Sequence, residues 1–103
     1  MELFKNLIYE YKKGMRDLAL YTCETKNIKD YINLLQQLKI AYITINLGNT
    51  KTNIFFGTIN CIKILKNFSS ENLDKLSPQE DFILGIMLGY SRNEQYNRFL
   101  SKI

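Results

Sequence analysis

The segment Ser77-Pro-Gln-Glu-Asp-Phe-Ile-Leu-Gly-Ile-Met-Leu-Gly89, continued by Tyr90-Ser-Arg-Asn-Glu94, sets the class of structure this chain adopts. Ser77 is an N-cap residue, Pro78 takes the first helical position and Glu80 stands at the third, the pattern of a capping box. Ser91-Arg-Asn-Glu94 repeats the signal. The stretch therefore predicts an apolar, glycine-spaced helix over 78–89 and a last helix over 92–102, with Tyr96, Phe99, Leu100 and Ile103 as its apolar side. Gly85 lies inside the first of these. Glycine there costs about 1 kcal/mol relative to alanine, and close approach of another backbone is the usual offset. Packing within the chain, a contact with a second copy and a ligand contact all remain open for Gly85.

Working toward the N-terminus, Ile59, Ile62, Leu65 and Phe68 predict a helix over 59–67, and Ser69 to Ser77 has the polar composition of a surface loop. Residues 40–46 and 52–57 alternate as strands, joined by Leu47-Gly-Asn-Thr-Lys51 in a hairpin. Ala41, Ile43 and Ile45 with Ile54 and Phe56 suit one core face. Tyr42, Thr44, Asn46, Asn53 and Phe55 then share the other. The apolar run 18–22 reads as a strand covered on both faces. Two further helices follow from stripes of Phe4, Leu7, Ile8 and Tyr11 (over 2–13) and of Ile28, Tyr31, Ile32, Leu35 and Leu38 (over 27–38, capped by Asn27). The expected architecture is α+β: a small three-stranded sheet packed with about five helices, in one domain spanning 1–103.

The composition narrows the chemistry. The 103 residues carry no His and no Trp, and Cys23 and Cys61 are far apart with no CxxC. No metal or cofactor is expected, since zinc and iron–sulfur sites need more ligands than these. The cysteines read as small apolar fillers in a reducing cytoplasm. Met1-Glu2-Leu3-Phe4-Lys5 lacks the basic and apolar parts of a secretory leader. The apolar run Phe82–Tyr90 falls short of the ~20 residues of a membrane span. Glu80 and Asp81 diverge on their helix, and no nucleophile stands beside a base, so no catalytic residues are assigned.

Charge is uneven within a net +4. Residues 26–66 hold Lys26, Lys29, Lys39, Lys51, Lys63 and Lys66 against Asp30 alone, while residues 67–81 hold four acids against Lys75. A basic middle attracts an acidic partner at long range, or only keeps the surface solvated. A nucleic acid is the alternative partner. Tyr42 and Phe55 would then stack bases, although Thr52-Asn-Ile-Phe-Phe-Gly57 lacks the signature of RNA-recognition sheets. A helix-turn-helix over Tyr90–Phe99 is a weak match, with few cations on its last helix. A third reading places a small anion, or a reaction, near Tyr9, Lys13 and Arg16. The same residues also fit an ordinary helix end in which Glu10 and Asp17 pair locally.

Three blocks carry a resemblance: Ile8-Tyr-Glu-Tyr-Lys-Lys-Gly14; Asn53-Ile-Phe-Phe-Gly57 with Cys61; and Glu80-Asp-Phe-Ile-Leu-Gly-Ile-Met-Leu-Gly-Tyr90 with Gln95 and Arg98. Together they resemble an uncharacterised bacterial family, the domain of unknown function numbered two thousand and twenty-three, over nearly the whole chain. The resemblance implies a small α+β homodimer, often encoded beside a flavodoxin, with no assigned catalytic residues. Ser91 stands where the family pattern has an acidic residue, and Tyr96 where it has a cysteine, which weakens any redox role for that position. The expectation is a cytoplasmic accessory protein, with Tyr42, Phe55, Gly85 and the six lysines as candidate contacts for a second copy or an acidic partner such as flavodoxin.

Overall fold

A computed structural model describes all 103 residues. The hairpin forms where the alternation places it. Strand β2 (Ala41–Leu47) pairs antiparallel with β3 (Lys51–Gly57) through a three-residue connection. Strand β1 (Leu18–Glu24) pairs antiparallel with the other side of β3, so the order is β1-β3-β2. Both edge strands oppose β3 and therefore run parallel to each other. Helix α2 (Ile28–Gln37) carries the chain between them, a split βαβ unit with β3 filling the gap. Helix α1 (Glu2–Lys12) precedes this unit, and α3 (Ile59–Lys66), α4 (Pro78–Met87) and α5 (Arg92–Lys102) follow it. The α+β expectation holds.

The strand faces divide otherwise than the alternation predicts. Residues directly opposed across an antiparallel pair share a face. Ile43 lies opposite Phe55, and Tyr42 opposite Phe56. Thus Ala41, Ile43 and Ile45 side with Phe55, while Tyr42 sides with Ile54 and Phe56. The expectation was wrong by one residue of register, enough to exchange every side chain of a strand between faces. The length of the turn sets that parity, and neither strand's own pattern reveals it.

Both faces are covered by helices. On one, Phe4 and Ile8 of α1 and Tyr31 and Leu35 of α2 bury Ala19, Cys23, Ile54 and Phe56. Phe4 sits at its centre, with ring centroids 4.8 Å from Tyr31 and 5.1 Å from Phe56, and each such aromatic pair contributes about 0.5–1.5 kcal/mol beyond burial. On the other face, α3 supplies Cys61, Ile62 and Leu65, and α4 supplies Leu84 with Leu88 just past its end, over Leu18 and Phe55. At the hairpin end the core turns polar, and its groups pair: Thr22 donates to Asn53 Oδ1, and Thr52 donates to Asn46 Oδ1 at 3.1 Å.

Local signals are honoured unevenly. The capping box at α4 is complete: the Glu80 N–H donates to Ser77 Oγ (3.1 Å) and the Ser77 N–H to Glu80 Oε1 (3.0 Å). At α5 only half forms, with the Glu94 N–H reaching Ser91 Oγ at 3.5 Å. Asn27 makes no side-chain cap; a 3-10 turn over Thr25–Asn27 leads the chain into α2 instead. The loop from Ser69 to Ser77 contains a 3-10 turn (Leu73–Lys75), and Leu73 and Leu76 tuck against the second core.

Candidate functional site

The capping box launches α4. At its end Gly89 adopts φ +80°, and the Tyr90 N–H returns to the Gly85 carbonyl at 3.1 Å, so α5 doubles back along α4. Two contacts lock the pair. Arg98 forks onto Asp81, Nε to Oδ2 at 2.7 Å and Nη2 to Oδ1 at 3.1 Å, and holds the Asp81 carboxyl below the usual aspartate range. The buried Gln95 side chain lies over Gly85. Gly85 thus meets its own chain, the first of the three possibilities left open for it.

This geometry turns the apolar side of α5 outward. Tyr96 is 47% exposed, Leu100 64% and Ile103 74%. The Phe82 ring meets Tyr96 and Phe99 at centroid separations of 6.0 and 5.5 Å. Gln79, Phe82, Ile83, Tyr96, Phe99 and Leu100 line a shallow depression of about 440 Å³, in which Gln79 is the one polar residue. Through Ile83 it continues into a second depression beside Ile64, Phe68 and Lys63. Contiguous exposed apolar surface of this kind marks an interaction site on most proteins that carry it. Lys63, Arg92 and Lys102 on the surrounding helices are in no ion pair, and neither is Glu94 of α5. The one anion lining the depressions, Glu80, accepts hydrogen bonds from Ser69 and Ser77. The sequence does contain the signal for this face: α5 has an apolar stripe of Tyr96, Phe99, Leu100 and Ile103.

The six lysines do not form one patch. Lys26, Lys29 and Lys39 ride on the 3-10 turn, α2 and the turn after α2, on the side of the sheet that α1 and α2 cover. Lys63 and Lys66 are on α3, across the sheet. Lys51 is paired with Glu24 at 3.0 Å. Tyr42 and Phe55 lie on opposite faces, so they make no common platform. Phe55 is 1% exposed inside its own chain, which removes it as a contact for a partner. Tyr42 is half-buried and accepts a hydrogen bond from Gln36 Nε2 at 3.1 Å.

Tyr9, Lys13 and Arg16 do not converge. Arg16 binds Glu10, Nη2 to Oε1 at 3.0 Å, and Lys13 Nζ lies 5.5 Å from the Tyr9 ring centroid. None of the three lines a cavity. Cys23 and Cys61 are buried and unpaired, and burial raises both thiols above their ordinary pKa. No three His, Cys, Asp or Glu side chains gather as metal ligands do, and no helix is long and apolar enough to cross a membrane. A cavity that sequence reasoning missed, about 330 Å³, opens between β2 and the loop after α3, floored by Ile43, Ile45, Phe55 and Leu65 and rimmed by Lys66 and Glu71.

Fold and surface together define a small α+β protein whose distinctive feature is an uncovered helix pair. The chain belongs to the family described as Protein of unknown function (DUF2023), whose model matches residues 2–102. No curated protein matches it.

Proposed function

We propose that this chain is an accessory protein that acts by docking, works as a homodimer in the cytoplasm, and presents the α4–α5 face to an acidic partner protein. One observation carries the reading: Phe82, Ile83, Tyr96, Phe99 and Leu100 form a nearly unbroken apolar surface, continued through Ile83 into a depression edged by Lys63, which is in no ion pair. An apolar centre inside a charged rim is the anatomy of a recognition site, and the rim sets the sign of the partner. A flavodoxin fits that description, being acidic and engaging partners through small, salt-sensitive contacts. It is also the neighbour that the family resemblance names. The division of the lysines between two sides of the sheet gives less support to a nucleic acid, which needs a continuous basic track.

The test mixes the purified protein with an acidic flavodoxin at low and at moderate salt. The expected result is a complex that weakens with salt and is lost in Leu100→Glu. Absence of a complex in both conditions overturns the flavodoxin assignment.

A further inference from the structure

Strand β2, Ala41-Tyr-Ile-Thr-Ile-Asn-Leu47, is an edge without protection in its own sequence. It has no charge, no proline and no bulge, its register against β3 being one-to-one throughout, and the loop after α3 (residues 70–72) lies beside it across open depressions without hydrogen-bonding its backbone. No residue of β2 is buried, although Ala41, Ile43 and Ile45 border the second core. Beyond the ladder to β3, the chain supplies no hydrogen-bond partner to the β2 backbone, so its outward N–H and C=O groups are free. Such an edge is a template for another strand.

We propose that β2 pairs antiparallel with β2 of a second copy, about a twofold axis at Thr44, joining two sheets into one of six strands. The proposal names the contact surface of the homodimer and rests on that part of the reading above.

Three observations choose a second copy as the occupant. The first is self-complementarity. Pairing centred on Thr44 sets Ile43 against Ile45 of the partner, Tyr42 against Asn46 and Ala41 against Leu47, so the isoleucines that border the second core cover one another. The second is charge. The chain carries +4 overall, and its copies repel, yet β2 is uncharged and the adjoining cavity is rimmed by one cation and one anion, Lys66 and Glu71, in no ion pair. The α4–α5 face, with Lys63 of α3 unpaired at its edge, suits an acidic partner rather than a copy. The third is the comparison with the other edge. In β1, Leu18 and Ala19 are already fully buried, and self-pairing about Tyr21 sets the Glu24 carboxylate against Leu18.

The experiment measures mass in solution by light scattering for wild type, Thr44→Lys, Thr44→Glu and Leu100→Glu. Thr44 is exposed, so these substitutions spare the core. Wild type and Leu100→Glu are expected at twice 12.1 kDa, and each Thr44 variant at 12.1 kDa because it sets like charges against each other on the axis. Mixing Thr44→Lys with Thr44→Glu restores the dimer. Thr44→Cys forms an intermolecular disulfide under mild oxidation, since paired residues on a dyad lie within disulfide reach, while Thr22→Cys on β1 does not. A dimer that survives both Thr44 charges overturns the β2 assignment and leaves the homodimer standing; its loss in Leu100→Glu would then place the contact on α4–α5. A wild type that is monomeric throughout removes the homodimer and the β2 contact together.

Discussion

Gly85 and Gln95 share one volume where α4 and α5 meet: a β-carbon on residue 85 would collide with the amide end of the Gln95 side chain. Gln95 is the one buried residue of α5, so this contact seats the helix. Gly85→Ala gains about 1 kcal/mol of helix propensity and overpacks the crossing by roughly 1–3 kcal/mol. The expected outcome is a net loss of up to about 2 kcal/mol in wild type. With Gln95→Ala in place the collision is gone, and the same substitution stabilises by up to about 1 kcal/mol. Chemical denaturation of the four proteins in this double-mutant cycle measures the coupling, and simple additivity would refute it.

Glu80 ties the start of α4 to the preceding loop. It accepts from Ser77 and from both the N–H and the hydroxyl of Ser69, the last two at 2.7 Å. Those donors, the Ser77 N–H foremost, lower its pKa from the ordinary 4.5 to about 2. A carboxyl depressed in the folded state gives its full stability above the unfolded pKa and loses it as pH falls through the folded one. The advantage of wild type over Glu80→Gln in urea midpoint is therefore expected to be constant from pH 7 to about 5 and to shrink toward pH 2. Asp81, lowered by Arg98, adds acid sensitivity to both proteins alike and cancels in the comparison. An advantage unchanged at pH 2 would show that Glu80 acts by packing alone. Ser77→Ala removes the other half of the box and is expected to cost about 1 kcal/mol.

Gly57 ends β3 at φ +146°, and a β-carbon there would strike the backbone carbonyl of Asp17. That carbonyl accepts the Thr58 N–H at 2.8 Å and joins the start of β1 to the start of α3. Backbone cannot step aside as a side chain can. Gly57→Ala combines strain of about 1–3 kcal/mol with the clash, and is expected to be the most destabilising glycine-to-alanine change in the chain. The same change at Gly14, where a β-carbon meets nothing, carries the φ strain alone. Melting temperatures of the two variants test the ordering.

Cys23 and Cys61 are 5% and 9% exposed, and burial pushes both thiols up. Reaction requires thiolate and access. Labelling with a thiol reagent at neutral pH is expected to proceed only as fast as the protein opens, and to be complete in guanidinium. Rapid labelling of the native protein would give one of them a reactive role.

Much of the fold is legible in the residues because its signals are local. The Phe4–Tyr11 stripe places α1, the Ser77–Glu80 box places α4, and the polar, glycine-bearing Gly48–Thr50 connection marks the hairpin. Each depends only on residues a turn or a tight loop apart. The candidate surfaces were much less legible. Tyr42 and Phe55 look like one pair from the alternation of each strand taken separately, yet the register sends them to opposite faces. Tyr96, Leu100 and Ile103 look like core from their spacing, yet they face solvent.

What the chain determines by itself is thus the kind, order and approximate ends of its elements, and the absence of histidine from its chemistry. Tertiary structure decided which residues became surface. A periodicity says that a helix or strand has an apolar side, but coverage depends on what packs across from it. For β2 that is settled by the register with β3, and for α5 by the crossing at Gly85 and Gln95. Both are contacts between two segments that meet across a turn, and the pattern within either segment alone does not encode them.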